Sequence, residues 1–233
     1  MIIEDKKLSI IVPCYNEKNN INNIVNSIIK SPIQNKEIII VDDCSTDGTK
    51  EILENQIAEK VSKILYHNKN MWKGAALRTG IKASTGEVLI IQDADLEYDP
   101  MEYPNIVLPI FKDEADVVYG SRFSYGNNYP DAYKQNIMAN KLLTFLSNKF
   151  TGLNLTDMET CYKAFKREVI LDINIEEDRF GFEPEITAKI SRMNVRIIEV
   201  PISYHPRSIE EGKKIRYKDG LRAIFCILKY RKK

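Results

Sequence analysis

Short apolar runs alternate with amphipathic segments along the first half of the chain. The runs at 8–13 (LSIIVP) and 37–42 (EIIIVD) are continuously apolar, which is typical of parallel strands buried on both faces. Further strands are predicted at 61–66 and 87–92, with a helix over 74–83 between them. This order predicts βαβ units with right-handed crossovers. We therefore expect a single α/β domain with a mostly parallel central sheet and helices on both faces.

Two local signals extend this prediction. After the second predicted strand, the segment CSTDGTKEIL offers Ser45 or Thr46 as the N-cap of a helix. Farther along, TDMETCYKAF places Asp157 and Glu159 before what we expect to be an apolar helix. One interpretation makes these acids the N-cap and a first-turn residue of that helix. The other makes Asp157 the group that faces an acceptor.

Composition limits the class of protein. A chain of 233 residues suits one sizeable domain, and its formal net charge of +1 gives no reason to expect a nucleic-acid partner. The four cysteines are far apart with no CxxC pair, which is typical of free thiols in a reducing compartment. No apolar run reaches the roughly 18 residues that a membrane span requires. We expect a cytoplasmic protein, either free or at the cytoplasmic face of a membrane.

The C-terminal segment differs in charge from the rest of the chain. Residues 213–233 contain nine Lys or Arg against one acid, so we divide the chain into a domain at 1–212 and a basic amphipathic helix at 213–233. Four apolar residues share one predicted face of this helix: Leu221, Ile224, Phe225 and Leu228. That face would either pack on the domain or lie on an anionic membrane.

Polar residues follow each of the first four predicted strands. In open α/β sheets, ligands bind at the carboxyl ends of the strands. The polar groups at these ends are Tyr15, Asn16 and Glu17; Asp42 and Asp43; Asn70 and Lys73; and Asp93, Asp95 and Glu97. Any one of them could be an ordinary turn. Together they predict a ligand site at one edge of the sheet.

The acids in IIQDADLEYDP suggest what this site binds. Like charges two residues apart repel unless a cation is shared between them. The chain has neither GxxxxGK[ST] nor GxGxxG after its first strand, so the usual phosphate-binding loops are absent. A diphosphate could instead be neutralised by a divalent ion held by Asp93 and Asp95, with Glu97 adding an oxygen or orienting a water. The segment thus predicts a Mg²⁺ or Mn²⁺ site, with a solvated turn as the alternative.

Several motifs in the same order resemble those of family-2 glycosyltransferases of the GT-A fold. The matching pieces are IVPCYNE, VDDCSTDGT, KGAALRTG, DAD, YGSRF, DMETCYKAF, FGFEPEITAKI and VPISYHPRSIEEGKKI, which extend to about residue 220. The chain is most similar to the branch that transfers sugars to polyprenyl phosphates. It departs from that pattern at Trp72, where relatives usually have glycine, and at Arg216-Tyr217.

The resemblance implies roles for individual residues. It implies that Pro13, Tyr15, Glu17 and Asp42 hold the nucleotide and that Asp93, Ala94 and Asp95 form the metal motif, with Glu97 beside it. It implies a donor-phosphate role for Arg122. Lys73 lies in a loop near the donor, and Arg207 and Lys213 would approach the diphosphate when a loop closes. We assign Asp157 and Arg122 as candidate catalytic residues.

The resemblance also implies an activity. We expect a metal-dependent, inverting transferase that moves a hexose from a UDP-glucose-like donor or GDP-mannose to a lipid phosphate. A hydroxyl acceptor on a glycan is the alternative, and it would require a carboxylate base. A nucleotidyltransferase should have a glycine-rich basic loop, which PCYNEKNN lacks. A non-catalytic nucleotide-sugar-binding protein is the third hypothesis.

Overall fold

A computed structural model describes residues 6–124, 133–207 and 217–231. In these ranges the strands are β1 (Leu8–Cys14), β2 (Lys36–Asp42), β3 (Lys63–Tyr66), β4 (Val88–Ile91), β5 (Val117–Ser121), β6 (Lys163–Lys166) and β7 (Ile197–Pro201). The α-helices are α1 (Ile21–Lys30), α2 (Thr49–Ile52), α3 (Trp72–Ala83), α4 (Tyr103–Phe111), α5 (Lys134–Thr151), α6 (Arg167–Leu171), α7 (Phe182–Ile190) and α8 (Tyr217–Lys229).

The strands form one sheet in the order β3-β2-β1-β4-β6-β5-β7. Every described pairing is parallel except the two made by β6, which runs antiparallel to β4 and β5. The prediction of one α/β domain with a mostly parallel sheet is confirmed. The strand order reverses direction at β1, so a crevice opens between the carboxyl ends of β1 and β4. Such a switch point is where open α/β sheets bind ligands.

The predicted buried strands form the core of the domain. Ile10 and Ile11 of β1 are fully buried and pair in register with Ile90 and Ile91 of β4. Helix α3 packs closely on β1 because Gly80 has no side chain: a Cβ there would lie 2.5 Å from Ile11 Cγ2. Close packing of α3 fixes where its N-terminal residue Lys73 lies relative to the crevice.

Two local predictions were wrong. Neither Ser45 nor Thr46 caps α2: the N-cap is Gly48, whose φ of 101° suits glycine, and Asp47 accepts from the Thr49 N–H at 3.0 Å. The segment after Asp157 is strand β6, not a helix. Pairing with β4 and β5 outweighs the local helical pattern of those few residues.

Candidate functional site

A cavity of about 1190 Å³ opens at the crevice between β1 and β4. Most residues that the sequence predicts for the site line it: Pro13, Tyr15, Glu17, Lys73, Asp93, Ala94, Asp95, Glu97, Arg122 and Arg207. Asp42 and Asp157 lie behind the cavity wall and are almost fully buried. Lys213 and the loop expected to close with it lie outside the described residues. The ends of β1, β4 and β5, the start of α3 and the segment after β7 therefore supply this site.

Four carboxylates converge in the cavity, and we call Glu17, Asp93, Asp95 and Glu97 the acid cluster. Arg207 lies among three of them. Its Nη2 donates to Asp95 Oδ2 at 2.6 Å, its Nη1 lies 3.3 Å from Glu17, and its Nε lies 3.7 Å from Glu97. Burial, together with repulsion from Asp93 and Glu97, raises the pKa of Asp95 to about 7 although Arg207 opposes the shift. Charge in this cluster is therefore costly unless a cation is present.

Asp93, the fourth member of the acid cluster, pairs with Lys73. Lys73 Nζ lies 2.9 Å from Asp93 Oδ1 and 3.3 Å from Glu183 Oε1. Burial would lower the pKa of Lys73, but Asp93 and Glu183 together raise it well above its ordinary value. Glu183 of α7 was not assigned by sequence reasoning. Its signal was a pair of acids, Glu183 and Glu185, inside the otherwise apolar segment FGFEPEI.

The donor atoms of the acid cluster fit a divalent metal ion. Carboxylate oxygens are the ligands that Mg²⁺ and Mn²⁺ prefer. In the described ranges, however, no three His, Cys, Asp or Glu side chains are arranged to hold a metal ion. Lys73 and Arg207 bind these carboxylates instead, so the metal assignment of Asp93, Asp95 and Glu97 stays a prediction.

Arg122 and Asp157 form a buried ion pair at the cavity wall. Arg122 donates from Nε and Nη2 to the Asp157 carboxylate at 2.6 and 2.7 Å, and its backbone N–H donates to Asp157 Oδ2 at 3.1 Å. Arg122 lines the cavity, whereas Asp157 is fully buried behind it. This geometry does not place Asp157 as a residue facing an acceptor. Its carboxylate is used to hold Arg122.

The two acids at the end of β2 have different surroundings. Asp43 lines the cavity, and its carboxylate accepts from the backbone N–H groups of Met71 and Trp72 and contacts His67. Asp42 is 1% exposed, and among the described residues its Oδ1 has no hydrogen-bond partner. A buried acceptor without a donor is uncommon and costly. Asp42 therefore has one acceptor atom left for a ligand.

Trp72, a position at which the sequence departs from the resemblance, has the left-handed backbone that glycine favours. Its φ is 72°, and its indole lies under the Arg179 guanidinium with 3.6 Å between the Arg179 Cζ and the ring centre. Both residues line the cavity. Hydrogen bonding of the Trp72 N–H to Asp43 at 2.6 Å helps to hold this uncommon conformation.

Helix α8 packs on the domain through a face other than the predicted one. Ala223, Cys226 and Ile227 are buried against α5 and α7, whereas three of the predicted residues point to solvent: Leu221, Phe225 and Leu228. Helix α5, which packs beside α8, has its own exposed apolar residues: Met138, Leu142 and Phe145. None of the helices in the described ranges is long and apolar enough to span a membrane.

The chain is similar in sequence to enzymes of known activity. Residues 9–173 match the sequence profile described as Glycosyl transferase family 2. The undecaprenyl-phosphate mannosyltransferase of Micrococcus luteus is 30% identical over 214 residues, which are 87% of this chain and 85% of that protein. The dolichol-phosphate mannosyltransferase of Pyrococcus furiosus is 28% identical over 89% of this chain, but this chain spans only 59% of it.

Solved structures show the same fold. Glucosyl-3-phosphoglycerate synthase from Mycobacterium tuberculosis, in complex with Mn²⁺, UDP and glucosyl-3-phosphoglycerate, matches 97% of this chain and 80% of its own with a TM-score of 0.72. The same enzyme with Mn²⁺, UDP-glucose and phosphoglyceric acid gives a TM-score of 0.73. Sequence identity is 18% and 17%, so these matches concern the fold alone. They confirm the expected GT-A fold.

Proposed function

This chain belongs to glycosyl transferase family 2, and we propose that it moves a hexose from a nucleoside diphosphate sugar to the phosphate of a polyprenyl phosphate. The observation that carries the proposal is the acid cluster at the switch point, with three cationic side chains beside it: Lys73, Arg122 and Arg207. A diphosphate requires cations, and a metal held by carboxylates supplies one next to these three.

We assign the residues as follows. Asp93, Asp95 and Glu97 would hold Mg²⁺ or Mn²⁺, which when bound offsets charge on the diphosphate. Arg122, fixed by Asp157, would donate to the diphosphate as it leaves. We propose that Asp157 positions Arg122 and takes no proton. Direct displacement with inversion is what the family resemblance implies.

The cavity's charges favour a phosphate acceptor over a hydroxyl. The acids that line the cavity each lie within 4 Å of a basic side chain: Glu17, Asp43, Asp93, Asp95, Glu97, Glu176, Glu177, Asp178 and Asp219. A hydroxyl acceptor needs a carboxylate base to take its proton. A lipid phosphate is already an anion and needs none. The names of the two polyprenyl-phosphate mannosyltransferases support the same acceptor class.

The donor can be identified directly. Purified protein with Mn²⁺ or Mg²⁺, undecaprenyl phosphate and labelled UDP-glucose or GDP-mannose should move label into the organic-extractable fraction with one of the two donors. Label in a water-soluble product when a glycan is added would favour the hydroxyl-acceptor alternative. Donor binding without transfer to either acceptor would favour the non-catalytic alternative.

Asp42 should contribute to nucleotide binding through its unpartnered Oδ1. Asp42 pairs in register with Cys14, which lines the cavity, so a base would reach it beside Cys14. We expect Asp42→Ala to weaken UDP or GDP binding by about 1–3 kcal/mol, the usual cost of leaving a buried polar group unpaired. Isothermal titration measures this change. Asp47→Ala, which removes a carboxylate that accepts from the Thr49 N–H at the start of α2, is the control. Unchanged dissociation constants for both nucleotides in Asp42→Ala would contradict the placement.

We further propose that the exposed apolar residues of α5 and α8 rest on an anionic membrane. Leu221, Phe225 and Leu228 recur at helical spacing on α8, as do Met138, Leu142 and Phe145 on α5. Exposed basic residues accompany both stripes: Lys134, Lys141 and Lys149 on α5, Arg222 and Lys229 on α8, and Arg231 just after α8. Basic residues around an apolar stripe are the pattern of an interfacial helix. Both helices also line the cavity, so a lipid acceptor could enter from that surface, at the cytoplasmic face of a membrane.

Membrane binding should depend on both helices. The double variant Phe145→Glu, Phe225→Glu should lose binding to vesicles that contain phosphatidylglycerol, because it places two charges in the apolar surface. Both residues are more than half exposed, so the fold should not change. Vesicle co-sedimentation measures binding, and Leu171→Glu on α6 is the matched control at another exposed apolar residue. Equal binding of the double variant and the wild type would contradict this surface.

A further inference from the structure

Arg207 occupies the part of the site that the proposed function assigns to a metal ion. Its guanidinium contacts Glu17, Asp95 and Glu97 at once, and its side chain is only 16% exposed. Its backbone N–H also donates to Glu97 at 2.9 Å. Three ionised carboxylates at this distance repel one another, and a cation between them offsets the repulsion. In this structure, the cation among these three carboxylates is the guanidinium of Arg207.

The contacts of this arginine are incomplete. Arg207 Nε is buried and, among the described residues, has no hydrogen-bond partner. Its two bonds to Glu17 are long at 3.3 Å, and only the bond to Asp95 is short. A guanidinium has a rigid planar fork suited to phosphate as well as to carboxylate. Arg207 is therefore held in the acid cluster by charge more than by geometric fit.

We propose that Arg207 holds the place of the divalent cation and leaves the acid cluster when metal and nucleoside diphosphate bind. This inference rests on the proposed function, because it needs a metal that shares the Asp95 and Glu97 oxygens. The guanidinium and a metal ion would compete for these oxygens, since each uses the same lone pairs. Once displaced, Arg207 can donate to the diphosphate. Metal and nucleotide therefore bind cooperatively, and each raises the affinity for the other by the same factor.

Metal binding without nucleotide tests this inference. Arg207→Gln should bind Mn²⁺ about tenfold more tightly than the wild type in the absence of nucleotide, within the usual range of such couplings. Addition of UDP or GDP should then raise Mn²⁺ affinity less in this variant than in the wild type. Titration of free Mn²⁺ by electron paramagnetic resonance measures both. Arg207→Lys keeps the positive charge but lacks the planar guanidinium. Its Mn²⁺ affinity should lie between that of the wild type and that of Arg207→Gln.

Arg179→Gln is the matched control, because Arg179 lines the same cavity but stacks on Trp72, away from the acid cluster. It should bind Mn²⁺ like the wild type. If Arg207→Gln is folded by circular dichroism and binds Mn²⁺ no more tightly than the wild type, the inference is overturned. If Arg207→Gln does not fold, Arg207→Lys takes its place in the test. A Mn²⁺ affinity of Arg207→Lys that is equal to or weaker than that of the wild type then overturns the inference. Failure of the wild type to bind Mn²⁺ with or without nucleotide would instead overturn the proposed metal site itself.

Discussion

Asp95→Asn should lower kcat/KM for sugar transfer by about a thousand-fold while the protein stays folded. A bound metal ion supplies several kcal/mol of stabilisation to charge that develops in the transition state, and each ~1.4 kcal/mol is tenfold in rate. The fold should survive because the change removes one of several like charges in a buried cluster. Steady-state transfer assays over a range of Mn²⁺ concentrations, with circular dichroism on the same samples, measure both effects.

Asp178→Asn is the control for this change. Asp178 lines the same cavity and pairs with Arg78 at 2.6 Å, but it does not belong to the acid cluster. Its transfer rate should stay within a few-fold of the wild type. Wild-type turnover in Asp95→Asn, or full wild-type activity in EDTA, would exclude a metal site at these acids.

Asp157→Asn should destabilise the protein strongly as well as reduce transfer. The change leaves the Arg122 guanidinium buried without its charged partner, and removal of one member of a buried ion pair typically costs about 3–5 kcal/mol. For a chain of this size, that corresponds to a fall in Tm on the order of 10 °C. Thermal unfolding measures the change. An unchanged Tm would show that Asp157 is not needed to hold Arg122.

A double variant separates stability from catalysis. Arg122→Met, Asp157→Leu removes both buried charges, and replacement of such pairs by apolar residues is often neutral or stabilising. Its Tm should therefore exceed that of Asp157→Asn, whereas transfer should remain lost because the guanidinium is missing. Transfer at the wild-type rate in this double variant would contradict a role for Arg122 at the diphosphate.

The sequence predicted the first half of the sheet well because burial on both faces leaves a continuous apolar run in β1, β2 and β4. The later strands were harder to predict. Strand β6 has only four residues, and its pairing partners β4 and β5 lie elsewhere in the chain. The apolar period of α8 predicted an amphipathic helix but not which face packs, because Ala223 and Ile227 form a second, less obvious stripe.

The sequence predicted many of the residues that lie in the site, but not which of them form ion pairs with one another. Most of the site residues that the motifs at strand ends indicated line the cavity, because parallel strands bring their carboxyl ends to one edge. The contact between Arg207 and Asp95 joins residues 112 positions apart, and that between Lys73 and Glu183 depends on where α7 packs. Neither contact can be predicted from the spacing of residues along the chain. The contact between Asp157 and Arg122, 35 positions apart, likewise has no signal in local spacing.

Undecaprenyl phosphate and undecaprenol, compared as acceptors, distinguish transfer to a phosphate from transfer to a hydroxyl. The two lipids differ only in the phosphate, so a single labelled donor, metal and detergent can serve for both. A transferase whose candidate base, Asp157, is buried against Arg122 should glycosylate the phosphate and leave the alcohol unmodified, because a hydroxyl acceptor needs a carboxylate base and a lipid phosphate does not. Label that enters only undecaprenyl phosphate is the predicted result. Transfer to undecaprenol at a comparable rate would contradict the proposed phosphate acceptor. Transfer to neither lipid, with either UDP-glucose or GDP-mannose as the donor, would contradict it as well.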